Sequence, residues 1–131
     1  MAGTGDQDEV RKVIEETIEA LNAGDAARLR SVLSERVDGV HIGTDAGEWW
    51  TSKEILDAAA GDDGDVQVVA DDLNVHVHGD VAWVEGRARF TNRSGGERPV
   101  RMTGVLVRDH GRWTMAQSHS SIAVPNEDIF R

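Results

Sequence analysis

The chain has 131 residues, 39% of them apolar, and its 24 acidic and 14 basic side chains give a formal net charge of −10. That length suits one domain able to bury about two-thirds of its unfolded surface, and the acidity opposes binding to nucleic acid phosphates or anionic lipid. With no cysteine, disulfides, thiolate catalysis and zinc–thiolate sites are excluded.

The opening MAGTGDQDEV lacks the apolar core and basic start of a signal peptide, and no apolar run approaches ~18 residues. A cytoplasmic protein without a membrane span is therefore expected, as one domain over residues 1–131 with short tails at about 1–6 and 124–131. From Asp6 onward, Val10, Val13, Ile14, Thr17, Ile18 and Leu21 recur at three- and four-residue steps and predict a helix. Gly24 suits a left-handed cap at its end. Asp25 then caps a second, shorter helix running through Leu33. Residues 37–42 read as a short strand with Val40 and Ile42 on one face and Asp38, His41 and Gly43 irregularly placed. Residues 43–50 read as a loop from their glycines and acids, and Thr51-Ser52-Lys53-Glu54 is a capping box that starts a third helix to about Ala60. The acidic run at 61–65 lacks the ligand order of a calcium loop and reads as a solvated turn, so no metal is expected.

From residue 66 the apolar period changes to two. Four strands are predicted, at 66–78, 81–91, 99–109 and 112–122, joined by hairpin signals at Gly79-Asp80 and His110-Gly111 and by a longer Gly- and Ser-rich loop. Ala70-Asp71-Asp72 interrupts the first and suggests a bulge that bends the sheet. Helices first and an antiparallel meander after them make an α+β domain.

No recognised catalytic signature is present, so a site must be read from a constellation. Alternation puts Trp113, Met115, Gln117, His119 and Ser121 on one face of the last strand, running from large apolar groups into amide, imidazole and hydroxyl. On the second strand Trp83, Glu85, Arg87 and Arg89 share a face, and on the third Arg101, Thr103 and Val105. If these faces line one concavity, His119 serves as acid or base, Glu85 or Asp45 as its partner, and Arg101 and Gln117 stabilise an oxygen. Trp49, Trp50, Trp83 and Trp113 then supply walls, with Ser121 at the polar end. The plainer reading makes Glu85 and Arg101 an ion pair on the outer face and His119 a histidine satisfied within the structure. His76 and His78, alternating before a turn, read as surface residues. Metal binding by His41, His76 and His78 lacks acidic support at a suitable spacing.

Several segments together resemble a SnoaL-like domain of the nuclear-transport-factor-2-like superfamily: Asp25-Ala26-Ala27 after a helix, GTDAGEWW, DVAWVEGRARF, RMTGVLVRD, GRWTMAQSHSS and the closing VPNED. The resemblance covers roughly residues 8–127. It implies a cone-shaped α+β barrel in which three N-terminal helices pack on a strongly curved antiparallel sheet, dimerised through sheet faces. For the last strand, the small Thr114, Ala116, Ser118 and Ser120 side would then make the dimer contact. The superfamily includes ketosteroid isomerases, polyketide cyclases and dehydratases, alongside non-catalytic members, and the fold does not choose among them. The chain has no tyrosine, so the tyrosine-based oxyanion hole of the isomerases does not carry over.

Two functions follow as expectations. The first is cofactor-free proton-transfer chemistry (isomerisation, cyclisation or dehydration) on a hydrophobic carbonyl compound of polyketide or steroid type. The second is a non-catalytic ligand-binding or dimerisation module of the same fold. The expected partners are a small hydrophobic molecule with a polar group and a second copy of the chain.

Overall fold

The first helix, α1 (Thr4–Ala23), buries Val10, Ile14 and Ile18, spaced four residues apart on one stripe. The computed structural model describes residues 4–35 and 38–131. Gly24 closes α1 with φ at 61°, its N–H bonded to the Leu21 carbonyl, as a left-handed cap requires. Asp25 caps α2 (Ala26–Val32) by accepting from the Arg28 backbone N–H. The Arg28 side chain reaches back to Glu16 and Glu19 of α1 and ties the two helices together. The predicted capping box starts α3 (Ser52–Ala60): the Thr51 hydroxyl and the Glu54 carboxylate each accept the other's backbone N–H.

Six strands form one open sheet: β1 (Val40–Ile42), β2 (Trp49–Thr51), β3 (Gln67–His78), β4 (Val81–Thr91), β5 (Glu97–Asp109) and β6 (Arg112–Ser121), in the order β2-β1-β6-β5-β4-β3. The meander β3–β6 is antiparallel as predicted, whereas β1 runs parallel to β6. Residues 49–50 are not loop, as their glycine-rich surroundings suggest. They pair with β1, because the Gly43 N–H to Glu48 carbonyl bond closes a tight turn between the two short strands. Val37, expected in β1, lies outside the described residues.

The helices cover one face of the sheet, and the core between them holds Val10, Leu29 and Leu106, all fully buried, with Ala82, Val84, Trp113 and Met115. Among the described residues no helix is long and apolar enough to cross a membrane.

Two bulges bend the sheet. The one foreseen at residues 70–72 is present: Ala70 pairs with Ala88 and Asp72 with Arg87, leaving Asp71 unpaired in the ladder. Gly86 makes room for it, since a Cβ there would lie 2.5 Å from the Asp72 carbonyl oxygen. The second bulge is in β6. Met115 pairs with Leu106 but Gln117 with Val105, so Ala116 is the extra residue. An extra residue reverses which face each later side chain takes, and this reversal determines where the site lies.

Candidate functional site

Past Ala116 the even-numbered residues of β6 turn inward. Ser118 and Ser120, with Met102, Phe90 and Val68 from the neighbouring strands, form the floor of a cavity of about 540 Å³. Ile18 and Leu21 of α1 and Ile55 and Ala58 of α3 close it from the helix side. Trp50 and His41 stand on its wall, and Asp45, Glu48 and Asp62 at its mouth. Most of the lining is apolar, with a few polar groups gathered on the β1–β6 side, the usual make-up of a small-molecule site.

His41 reaches the cavity through local strand geometry. Val40 and Ile42 take one side of β1, so His41 takes the other, beneath the helices, and it is 2% exposed. The parallel register sets His41 beside Ser118, and its Nδ1 lies 2.8 Å from the Ser118 hydroxyl. Its Nε2 has no hydrogen-bond partner among the described residues. That nitrogen sits against Gly39, where a Cβ would come within 3.3 Å of it and 2.3 Å of the Ala116 carbonyl oxygen. A glycine there lets β1 pack onto the bulge with the imidazole underneath.

Burial holds the His41 pKa below the ordinary histidine value, because desolvation disfavours the imidazolium. The ring is therefore neutral near pH 7. With its proton on Nε2, Nδ1 accepts from the Ser118 O–H and polarises the hydroxyl. With its proton on Nδ1, it donates to Ser118 Oγ and frees the O–H to meet a ligand. Either tautomer makes Ser118 a proton-handling group on the cavity floor.

The residues expected to form the site divide between the two faces. Asp45 is at the cavity mouth and Trp50 on its wall. His119, Gln117 and Ser121 are on the outer face, opposite the cavity: Ser121 pairs with Arg101, and His119 with Thr103, which pairs with Glu85. His119, Thr103 and Glu85 are all exposed. Simple alternation from Trp113 would carry Gln117, His119 and Ser121 inward; the Ala116 bulge sends them out and brings Ser118 and Ser120 in. Ser118 and Ser120 thus floor the cavity, and the outer side of the sheet past the bulge carries Gln117, His119 and Ser121.

On that outer face Glu85 accepts from His76 Nε2 at 2.8 and 3.0 Å, and the His76 ring stacks on Trp83 with centroids 5.3 Å apart. The hydrogen-bond partner of Glu85 is therefore His76, while Arg101 Nε donates to Ser121 Oγ at 3.2 Å. Trp83 is 44% and Trp49 68% exposed. Trp113 belongs to the core, with the Arg108 guanidinium 5.0 Å above its ring. Among the described residues no group of three or more histidines and acids is placed to hold a metal ion.

Sequence reasoning thus missed His41, Ser118 and Ser120. The first had a signal: a lone polar residue between two β-branched ones in a short strand must face away from both. The serines had none, since their inward turn depends on Ala116.

A family model for the SnoaL-like domain matches residues 10–125. No protein of curated function matches the sequence. Among solved structures, an NTF2-like protein of unknown function from Pseudomonas putida KT2440 is similar at 19% identity with a TM-score of 0.82, over 97% of this chain and 93% of that one. A candidate dehydratase of the NTF2-like family from Streptomyces avermitilis matches at 20% identity and 0.79, over 92% and 98%. A candidate ketosteroid isomerase from Shewanella frigidimarina matches at 18% and 0.66, over 84% and 92%. At these identities the likeness is one of fold.

Proposed function

The chain belongs to the SnoaL-like domain family, and we propose that its cavity takes a small, mainly apolar molecule carrying a carbonyl or similar polar group. The observation that carries this reading is the 2.8 Å contact between His41 Nδ1 and Ser118 Oγ on the floor of a mainly apolar cavity. A neutral imidazole behind a hydroxyl can pass a proton to or from a bound oxygen or an adjacent carbon. That is the elementary step of isomerisation, cyclisation and dehydration, and it needs no cofactor. The polar pair orients the ligand's oxygen, and the apolar walls exclude water from the step.

A second reading, binding without turnover, is favoured by one feature: no group among the described residues holds His41 Nε2, whereas acid–base histidines are commonly oriented by a carboxylate or carbonyl on the second nitrogen. Mass spectrometry of material released from gently purified protein identifies the occupant, and incubation with that compound then separates the two readings. In the catalytic case Ser118→Ala and His41→Asn keep binding but lose product formation. In the binding case both weaken affinity and the wild type forms no product. A cavity that yields no occupant and binds no apolar carbonyl compound would end both.

The reading includes a second copy of the chain across the outer sheet face, supported by the exposed Val81 and Trp83 there. Light scattering should give a dimer for the wild type and a monomer for Trp83→Glu; a monomeric wild type removes this part.

A further inference from the structure

Among the described residues the cavity lining carries charge of one sign only: three carboxylates, Asp45, Glu48 and Asp62, and no ammonium or guanidinium. Each carboxylate uses one oxygen on a nearby backbone N–H: Asp45 on Gly47, Glu48 on Asp45 and Asp62 on Gly64. Among the described residues none of the three is in an ion pair, although arginines pair Asp71, Asp72 and Glu97 elsewhere on the sheet. Two arginines belong to nearby segments. Arg93 donates to the Asp63 carbonyl, and Arg98 lines, together with Glu97, an adjoining hollow that shares Val66 and Phe90 with the cavity. At the inner end, His41 is held neutral by burial, so nothing there offsets a ligand's negative charge.

We propose that the cavity selects its ligand by charge: it accepts neutral and amine-bearing apolar molecules and rejects carboxylates, phosphates and the phosphate-bearing carriers of acyl groups. This rests on the cavity being the binding site, as argued above; the carboxylates act as a filter at its mouth and do not form a site of their own. An anionic head group entering would meet three like charges and, among the described lining residues, no cation, whereas an aliphatic amine would be attracted. The net charge of −10 acts in the same direction at long range.

Three probes of one skeleton test it: 2-acetylnaphthalene, 1-(2-naphthyl)ethylamine and 2-naphthoic acid, by titration calorimetry at pH 7.5 and low salt. The amine should bind about tenfold or more tighter than the acid, with the ketone between them. In the triple variant Asp45→Asn, Glu48→Gln, Asp62→Asn, which keeps an acceptor for each capped N–H, the gap should fall below about threefold, as it should for the wild type in high salt. Ala58→Trp, which fills the cavity from α3, should abolish binding of every probe, with circular dichroism confirming the fold. Equal or tighter binding of the acid overturns the charge filter and leaves the cavity reading standing. So does a gap that survives the triple variant. Absence of binding by all three probes, or binding that survives Ala58→Trp, overturns the cavity reading and the filter with it.

Discussion

The outer face of the sheet carries most of its visible chemistry, and the inner face carries almost none. Outside are His76, Glu85, Arg87, Arg89, Arg101 and His119, most of them exposed and several hydrogen-bonded across strands. Inside, past the core, are two serines, a methionine and one imidazole brought in by β1. Solvent screens the outer groups, and exposed pairs of this kind add little to stability. The imidazole inside is desolvated, its second nitrogen has no hydrogen-bond partner among the described residues, and burial lowers its pKa. The ionisable groups are densest on the exposed side of the sheet, while the cavity on the other side holds a buried one.

The contrast between the faces depends on β1 closing over the Ala116 bulge, and disturbing that contact should have the largest effect. A Cβ on residue 39 would lie 2.3 Å from the Ala116 carbonyl oxygen, so Gly39→Val should force β1 away from β6. The expected outcome is a larger drop in urea midpoint than any other substitution named here produces. A midpoint like that of the wild type would mean that the close approach of β1 to the bulge is not needed. Next is Ser118→Ala, which leaves His41 Nδ1 buried without its partner and should cost about 1–3 kcal/mol by urea unfolding.

The His41 effect appears as a pH dependence. Its folded-state pKa lies below the unfolded value of about 6.5. Above that pH both states are neutral and the stability it contributes is fully present. As the pH falls, the unfolded chain takes up the proton first, so stability is lost through and below pH 6.5. The fall in urea midpoint between pH 7.5 and 5.5 should be smaller in His41→Asn than in the wild type; an unchanged fall would show that His41 protonates as easily folded as unfolded. The smallest effect is expected outside. Glu85→Gln removes the charge facing His76 yet should shift stability by no more than about 1 kcal/mol, and a larger loss would mean that the outer face is not merely solvated.

Local signals carried far in this chain. The Gly24 cap, the Asp25 cap, the Thr51–Glu54 capping box, the turns at Gly79 and Gly111 and the bulge at Asp71 were all legible, because each depends on residues a few positions apart. The β2 strand was not, since Trp49-Trp50 becomes a strand only by pairing with β1 across a turn. Of the residues expected at a site, Asp45 and Trp50 line the cavity, whereas His119 lies on the outer face and the imidazole in the lining is His41 of β1.

The sequence by itself determined the α+β class, helices followed by a meander, because apolar period and capping chemistry are local properties. Only the tertiary structure decided which face of β6 is the inside. Ala116 has no side chain or dihedral preference that announces a bulge. It becomes one because β6 must pair with β5 on one edge and, in parallel, with β1 on the other, and Gly39 lets β1 close over the extra residue. That one unpaired residue puts His119 in solvent and Ser118 against His41.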